Sequence, residues 1–401
     1  MIRVENALKM VLSDIRVLDS EPVKITAALN RILAEDIYSD FNIPAFDNSA
    51  MDGYAIKSID TAGSSRRTAR IFDAVDTLKA GDVAKKIVKH NQAIRIMTGA
   101  MLPKGADSVV MVEDTKSENR CVEIFKEIKK GENVRKTGED LRKTEKIIGK
   151  GALLKAAHIG MLASIGIQKI KVAKMPKVAV LATGDELIDL GKRPSPGKLY
   201  SSNTYSLCGQ IKASGAIPKE LGIAKDDAAE LERKVRSGLD CDIILTSGGV
   251  SVGDYDMVKS VLARIGTNIK FWRVAMKPGK PLVFGKIRGI PVFGLPGNPV
   301  SSMVSFEIFV RPAILKMLGR KRDYRNEVEA VLEESIAKKK GLKYFLRART
   351  RWEDGSYVTR TTGAQGSGIL KSMALANSLI ILPEEKEHIK KGEKVTVWFL
   401  N

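Results

Sequence analysis

The sequence predicts a multidomain α/β plus β protein, in which a doubly wound α/β domain follows one β-rich segment and precedes another. Three observations lead to this fold class. Between residues 177 and 300, short β-branched apolar runs alternate with stretches of helical length. Residues 41–140, and the chain after Gly319, instead carry short alternating runs separated by turn residues. A chain of 401 residues is also long enough for about two to four domains.

The first part of the chain predicts helices around a short strand, followed by a β-rich insert. Val4, Leu8 and Val11 have helical spacing, residues 22–25 predict a strand, and a second helix is expected to end near Asp36. Residues 93–97, 108–113 and 121–125 are typical of short strands. The polar residues 126–151 are predicted to lead the chain out of the insert, and residues 155–165 predict a helix.

From residue 177 the predicted strands alternate with predicted helices, and after Gly319 only short strands are predicted. Strands are predicted at 178–183, 219–224, 242–247, 271–276, 281–287 and 291–295. Helices are expected from Ser202, from Asp226 (as the capping residue), over 257–265, and from Pro299, a residue favoured in a first helical turn. The runs at 327–332, 344–350, 357–362 and 394–400 predict a small terminal β-barrel or sandwich.

Composition narrows the classes of partner. The chain has 67 Lys plus Arg against 47 Asp plus Glu, a net charge of +20, which attracts anions. Aromatic residues make up 5% and do not interleave with basic runs, which argues against a nucleic-acid stacking surface. The basic runs at 64–70 and 338–351 are interpreted as solvated faces. A phosphorylated small molecule or an oxyanion is therefore the favoured partner.

The few cysteines and histidines argue against a disulfide framework, a zinc site and catalysis by histidine. Three scattered cysteines give neither a disulfide framework nor a zinc motif, and the three scattered histidines are interpreted as surface or structural residues. No run reaches the roughly 18 apolar residues of a membrane span. The opening residues lack a signal-peptide pattern, so a cytoplasmic protein is expected.

Four glycine- and proline-marked turns point to the ligand site. They are LATGDEL (181–187), TSGGVSVGDYD (246–256), KPGKP (277–281) and GLPGNPVS (294–301). Loops at the carboxyl ends of parallel strands line the ligand crevice, and glycine lets amide groups approach a phosphate closely. Acidic side chains are interspersed with these donors, at Asp185, Glu186, Asp226, Asp254 and Asp256. The combination predicts a phosphorylated ligand held with a divalent cation.

Each turn also has a plainer interpretation. Two glycines and a helix cap could be turn chemistry alone, but two acids and two serines within TSGGVSVGDYD favour a ligand site. Lys277 and Lys280 could serve solubility, yet a rigid turn between apolar strands suits a compact oxyanion site better. NSAMDGYA (48–55) by itself predicts only a hairpin turn.

Together with RIMTGAMLPKGADSVVMVE (95–113) and GED (138–140), these motifs occur in an order that resembles the molybdopterin molybdenumtransferase family, also called MoeA or, in eukaryotes, the gephyrin E domain. The resemblance covers nearly the whole chain. It implies a segmented helical domain (1–43 and 141–175), an inserted β-rich domain (44–140), an α/β domain like that of molybdopterin adenylyltransferases (176–320) and a C-terminal β-barrel (321–401). It also implies a homodimer with active sites shared between subunits.

The reaction implied by the resemblance is insertion of molybdate, or the near-identical tungstate, into adenylylated molybdopterin with release of AMP and with Mg²⁺ as cofactor. The implied catalytic residues are Asp52, Thr98, Asp140, Glu186, Asp226 and Asp256, of which Glu186 and Asp256 would hold the metal. The implied substrate-binding residues are Thr183, Gly184, Ser202, Asn203, Ser247, Gly248, Gly249, Ser251, Asp254, Pro296, Gly297, Asn298, Pro299 and Ser301. The implied oxyanion residues are Lys277, Lys280, Arg347 and Ser372.

Two alternatives remain at the level of sequence. One is a molybdopterin adenylyltransferase, which shares TSGGVSVGD but needs only a single domain. The other is a scaffold or binding module, because eukaryotic relatives also organise partner proteins. A transient contact with the adenylyltransferase is expected, whereas a membrane or nucleic acid is not. One departure from the family pattern is Ala364, where a polar Asn or His is usual; any polar contact from that position is lost in this chain.

Overall fold

The computed structural model describes residues 1–249, 257–320 and 327–400, which form two compact units. The first unit comprises Met1–Glu35, Gly151–Ile159 and Lys169–Asn401, and the second comprises Asp36–Lys150 and Gly160–Gln168. Among the described helices, none has both the length and the apolar composition that crossing a membrane requires. The limits of the four domains inferred above stay a prediction.

The first unit begins with helix α1 (Val4–Asp14) and strand β1 (Ser20–Lys24). Helix α1 buries Val4, Ala7 and Val11, which the helical repeat places on one face. The predicted second helix is wrong: a single 3₁₀ turn (Ile25–Ala27) is followed by Asn30 with a φ of +62°. A left-handed residue ends a helix, and the next residues form isolated bridges instead.

The second unit is a β-rich body, as the sequence predicts. Its strands are β2 (Ile37–Tyr38), β3 (Asn48–Ser49), β4 (Gly53–Ile56), β5 (Arg70–Leu78), β6 (Gln92–Ile96), β7 (Ser108–Met111), β8 (Thr115–Glu118), β9 (Cys121–Ile124), β10 (Val134–Arg135) and β11 (Lys146–Ile148). Six of them form a curled sheet in the order β7-β4-β6-β5-β9-β8. Alternating apolar residues such as Ile56, Phe72 and Ile94 are fully buried on its faces.

Helix α2 (Ala156–Ser164) contains residues of both units, and the chain then continues into the α/β region of the first unit. The following elements are β12 (Lys169–Ala173), β13 (Lys177–Thr183), β14 (Leu187–Ile188), β15 (Leu199–Tyr200), α3 (Ser202–Ala213), β16 (Ile217–Ala224), α4 (Ala228–Arg236), β17 (Ile243–Ser247), α5 (Met257–Arg264), β18 (Asn268–Arg273), β19 (Met276–Lys277), β20 (Pro281–Ile287), β21 (Ile290–Leu295), α6 (Pro299–Ser305) and α7 (Arg311–Met317). A π-helical turn (Phe306–Val310) joins α6 to α7.

The central sheet has the order β16-β13-β17-β21-β20-β18, and its first four strands are parallel. From β13 the chain moves to one side through α3 and β16, then returns through α4 to β17 on the other side. The loops after β13 and β17 therefore diverge, which creates a topological switch point. One detail differs from the prediction: Asp227, not Asp226, caps α4, because its carboxylate accepts the Glu230 N–H at 2.7 Å.

The C-terminal region is a closed barrel. Its elements are β22 (Glu327–Leu332), β23 (Ile336–Ala337), β24 (Lys343–Glu353), β25 (Ser356–Thr361), α8 (Leu370–Ala374), β26 (Ser378–Leu382), β27 (His388–Ile389) and β28 (Lys394–Phe399). Five strands run in the order β24-β25-β22-β28-β26, and the pairing of β26 with β24 closes the ring. Along β24, Leu346 and Ala348 belong to the barrel core, whereas Phe345 packs into the core of the α/β region. Arg347 alternates with those interior residues and lies on the outer face.

Candidate functional site: two adjoining clefts

A cleft of about 720 Å³ opens at the switch point of the parallel sheet; we call it the switch-point cleft. Its floor is the carboxyl ends of β13 and β17, where Thr183 and Ser247 are buried. Predicted site residues dominate its lining: Thr183, Gly184, Glu186, Ser202, Asn203, Asp226, Ser247, Gly248, Gly249, Pro296, Gly297, Asn298 and Pro299. The sequence motifs thus converge where an α/β sheet binds its ligand.

Glycine is required at the turn after β17. Gly248 has a φ of +101° and Gly249 a φ of +66°, and a Cβ at Gly248 would collide with the Thr183 carbonyl oxygen. The Gly248 N–H donates to the Leu295 carbonyl at 3.1 Å, which ties the turn to the end of β21. Two consecutive positive φ values leave the backbone of this turn open to close approach by a ligand.

Asn203, near the start of α3, connects the loops of the cleft. Its Nδ2 donates to Ser247 Oγ at 2.8 Å and to the Gly297 carbonyl at 2.7 Å. Its Oδ1 is buried without a hydrogen-bond partner among the described residues. Because a buried polar atom left unpaired is costly, this oxygen marks a position for a ligand donor.

Two carboxylates are exposed at the rim of this cleft. Glu186 and Asp226 both line it, and the Glu186 carboxylate lies over Gly184, since a Cβ there would collide with it. The neighbouring Asp185 accepts the Asp226 N–H at 3.1 Å and so holds the two loops together. Within the described ranges, no group of three or more His, Cys, Asp or Glu residues could hold a metal by itself. One or two carboxylates suffice for Mg²⁺ when phosphate oxygens and water complete its shell, so this donor set fits.

A second cleft, of about 860 Å³, lies between the KPGKP turn and the barrel; we call it the lysine cleft. Lys277, Lys280 and Ser301 line it together with Arg347. Lys277 ends β19, which pairs with β24, and its Nζ lies 5.3 Å from the centroid of the Tyr344 ring. An aromatic ring at this distance attracts the ammonium group and restricts where it can lie.

Arg347 is the largest fully buried side chain. Its Nε donates to Ser372 Oγ and its Nη2 to the Gly366 carbonyl, both at 3.1 Å, but Nη1 has no partner among the described residues. Burial lowers the pKa of this guanidinium to about 10, so it is still charged at neutral pH. A buried, charged group with one free nitrogen at a cleft is suited to bind an oxyanion.

The two clefts adjoin, since Pro281, Pro296 and Asn298 line both. Ser372 does not line either cleft, but it contacts Arg347 directly. Three predicted residues, Ser251, Asp254 and Asp256, lie outside the described residues. The structure thus brings together one ligand surface with carboxylates and amide groups and another with cations.

Three predicted residues belong to the second unit. Asp52 Oδ1 accepts both the Thr98 N–H and the Thr98 hydroxyl at 2.7 Å, and these bonds lower the pKa of Asp52. Gly53 is necessary beside it, because a Cβ there would collide with the Val110 carbonyl across the sheet. Asp140 is exposed, and its backbone N–H donates to the Ile43 carbonyl. NSAMDGYA therefore presents a fixed, exposed carboxylate, which its residues alone did not indicate.

Sequence reasoning missed three residues around the lysine cleft. Tyr344 contacts both Lys277 and Lys338, whose Nζ lies 5.0 Å from the ring centroid. Lys338 was expected on a solvated face, but it is 8% exposed, and burial lowers its pKa. Gln365 bridges the backbone of Arg347 at 2.9 and 3.1 Å. Alternation along β24 could not have identified them, because residues 344–348 are buried on both faces of the strand, and Lys338 and Gln365 lie outside it.

The fold and the clefts define an α/β protein with two adjoining clefts, one lined by carboxylates and hydroxyls and the other by cationic side chains. Family models match three segments: MoeA N-terminal region (domain I and II) over residues 2–166, probable molybdopterin binding domain over 179–316, and MoeA C-terminal region (domain IV) over 329–400.

Individual relatives agree with the family models. A molybdopterin molybdenumtransferase of Haemophilus influenzae is 36% identical, with 94% of this chain and 93% of that protein covered. One from Bacillus subtilis is 35% identical, with 99% and 93% covered. The crystal structure of a molybdopterin biosynthesis moeA protein from Pyrococcus horikoshii OT3 has a TM-score of 0.86 and 32% identity over the whole of both chains. The chain belongs to the molybdopterin molybdenumtransferase family, whose members are transferases of molybdenum cofactor biosynthesis.

Proposed function

We propose that this protein inserts molybdate into adenylylated molybdopterin, with release of AMP and with Mg²⁺ as cofactor. The observation that carries the proposal is the pair of adjoining clefts that share Pro296 and Asn298. One cleft offers open backbone, hydroxyls and carboxylates, and the other offers buried and turn-held cations. A reaction that joins a phosphorylated pterin to a tetrahedral dianion needs these two surfaces side by side.

The switch-point cleft would hold the pyrophosphate and the nucleotide. The glycine turn after β17 lets a ligand approach the backbone closely, and Thr183 and Ser247 provide hydroxyls at the strand ends. The unpaired Oδ1 of Asn203 would accept a donor of the ligand. Because its amide group already donates to two loops, ligand binding there would also fix the loops in place.

The lysine cleft would hold the oxyanion. Lys277 and Lys280 contribute point charges from a rigid turn, while Arg347 contributes the free Nη1 of a fixed fork. Ser372 would act by holding Arg347 through Nε. Burial strengthens this electrostatic attraction, since fewer water molecules screen the charge.

Mg²⁺ would be held by Glu186 and Asp256, with Asp226 close to Glu186 at the rim. When bound, the ion would neutralise pyrophosphate charge and favour loss of AMP. Nothing in the donor chemistry distinguishes molybdate from tungstate, because both are tetrahedral dianions. A cytoplasmic location stays a prediction of the sequence.

We further propose a homodimer in which Asp52 and Thr98 of one subunit complete the switch-point cleft of the other. The Asp52 carboxylate supports this role, because it is exposed and two hydrogen bonds from Thr98 hold it in place. A molybdopterin adenylyltransferase is the proposed transient partner, because its product would be the substrate here.

The central test separates the two clefts by kinetics. Insertion would be measured with purified adenylylated molybdopterin, Mg²⁺ and molybdate, following AMP and metallated cofactor. Glu186→Gln should weaken Mg²⁺-dependent AMP release, whereas Lys277→Gln should raise the KM for molybdate. Equal loss of both properties in both variants would contradict the division of labour. Pyrophosphate formation from ATP and molybdopterin would instead indicate the adenylyltransferase.

The shared site has its own test. Asp52→Ala and Glu186→Ala proteins would each be inactive, but a mixture allowed to exchange subunits should regain part of the activity. In such a heterodimer the cleft of the Asp52→Ala subunit keeps its own Glu186 and receives an intact Asp52 from the other subunit, so one complete site is formed. Sedimentation would confirm that the variants are dimers, and a mixture of dimers that stays inactive would exclude a composite site.

A further inference from the structure

A second group of arginines lies on the outer face of the barrel. A depression of about 380 Å³ is lined by Arg349, Arg351 and Arg360 together with Thr350 and Asn377. None of the residues that line it is acidic. Arg349 and Arg351 belong to the basic run at 338–351, for which only a solvated face was expected, and the proposed insertion reaction uses none of these arginines.

The register of the barrel places two of these arginines directly opposite each other. Arg349 of β24 pairs with Arg360 of β25, and both are exposed, whereas the neighbouring Ala348 and Thr350 are buried. The two guanidinium groups therefore share the outer face. Like charges at directly opposite positions destabilise an antiparallel pair, so this arrangement has no benefit for the sheet itself.

Neighbouring acids do not neutralise this pair. Arg351 binds both oxygens of Glu333, at 2.8 and 2.9 Å, and Glu353 at 2.6 Å. The bonds from Arg351 to Glu333 are the main reason why the pKa of Glu333 is low, and the charge of Arg360 adds only a smaller, longer-range contribution. In the described parts of the chain, no hydrogen bond or ion pair engages the guanidinium group of Arg349 or Arg360.

The base of the depression is held in place. Asn377 Oδ1 accepts the Thr350 N–H at 2.9 Å, and its Nδ2 donates to the Thr350 carbonyl at 2.8 Å. The Thr350 hydroxyl lies 2.8 Å from that of Thr359 on the next strand. The two uncompensated guanidinium groups therefore stand on a rigid support, which lowers the entropy cost of binding a ligand between them.

We propose that Arg349 and Arg360 bind a tetrahedral dianion, the chemistry shared by molybdate, sulfate and phosphate. Arg349 is two residues from Arg347 on the same face of the same strand, a spacing of about 7 Å. Binding at Arg349 and Arg360 raises the concentration of the oxyanion beside the lysine cleft. From this position the anion moves only a short distance to Arg347. This role in supply rests on the proposed function, whereas the binding itself does not.

The test compares two doubly substituted proteins of equal charge. Arg349→Gln/Arg360→Gln removes the site, and Arg16→Gln/Arg288→Gln removes two exposed arginines elsewhere. At low ionic strength, where charges are least screened, the first variant should raise the KM for molybdate about fivefold and leave kcat unchanged. The control variant should keep the KM of the parent protein. Equal KM values in both variants would overturn the role in supply.

Binding is tested separately from activity, in Arg347→Gln protein, which lacks the central group of the lysine cleft. Calorimetric titration with sodium molybdate, sulfate and phosphate should show residual binding that disappears when Arg349→Gln/Arg360→Gln is added. The tightest of the three anions identifies the physiological source. Absence of residual binding, or binding that survives the added substitutions, would overturn the proposed site. This conclusion does not depend on whether any of the proteins inserts metal.

Discussion

Replacing Arg347 with methionine should separate stability from function. The guanidinium is fully buried, and burial lowers its pKa from the ordinary value to about 10. At 1.36 kcal/mol per pKa unit, this lowering corresponds to a burial cost of about 3 kcal/mol. Arg347→Met removes this cost but also removes the bonds to Ser372 and Gly366, each worth about 1.5 to 3 kcal/mol. The loss of two such bonds exceeds the removed burial cost by at most about 3 kcal/mol, so the free energy of unfolding should fall by no more than that amount.

The sign of the pH dependence follows from the lowered pKa. Below pH 10 both the folded and the unfolded protein carry the charge, and the burial cost is fully present. As the pH rises above about 10, the folded protein loses this proton before the unfolded protein does, so the cost of burial declines. Oxyanion binding should weaken over that same range, because the folded-state guanidinium loses its charge. Arg347→Met should lack this alkaline dependence.

The assay is urea unfolding of Arg347→Met, the parent protein and an Arg16→Met control, with and without molybdate. A ligand at 100 times its Kd stabilises a folded protein by about 2.7 kcal/mol. The parent and the control should show such a gain, whereas Arg347→Met should show a clearly smaller one, because only the binding proposed at Arg349 and Arg360 remains. An undiminished gain in Arg347→Met, or a loss of more than about 4 kcal/mol without ligand, would contradict this prediction.

Three further predictions concern other parts of the site. Gly248→Ala should lower stability by about 2 to 3 kcal/mol in thermal unfolding, because of its φ of +101° and the collision with Thr183; a parent-like Tm would contradict this. Asn203→Ala should raise the KM for adenylylated molybdopterin and cost about 2 kcal/mol of stability, since it loses two hydrogen bonds; an unchanged KM would exclude it from the ligand site. Thr98→Val should raise the pKa of Asp52 in a carboxyl NMR titration. The lowered pKa of Asp52 stabilises the folded protein at pH values above the ordinary carboxyl pKa, and this stabilisation is lost as the pH falls through the lowered pKa. Because Thr98→Val has less of this stabilisation to lose, its free energy of unfolding should decrease less in acid.

The α/β region was predictable because periodicity and turn chemistry agree there. Parallel strands buried on both faces give continuous apolar runs, and the glycine turns mark their carboxyl ends. The convergence of Thr183, Asn203 and Ser247 in one cleft followed from that topology. The β-rich unit and the terminal barrel were predicted from alternation, and the family resemblance is confirmed by relatives over nearly the full length.

Two differences from the prediction have local causes, and the others depend on residues that packing brings together. The predicted helix before Asp36 had suitable apolar spacing, but Asn30 adopts a left-handed conformation and the following residues form bridges. Asp226 and Asp227 are adjacent, and only backbone geometry decides which one caps α4. The burial of Lys338 depends on packing around Tyr344, which no local pattern records. The free Nη1 of Arg347 likewise depends on neighbours more than fifteen residues away.

The central claim is that the switch-point cleft and the lysine cleft act on one reaction. The most direct measurement mixes the protein with adenylylated molybdopterin and Mg²⁺ in a single turnover and follows AMP before and after molybdate is added. We predict that AMP stays bound as the pterin adenylate until molybdate arrives and is then released, and that Arg347→Met abolishes the response. Release of AMP without any oxyanion, or failure to bind the pterin nucleotide, would contradict the account.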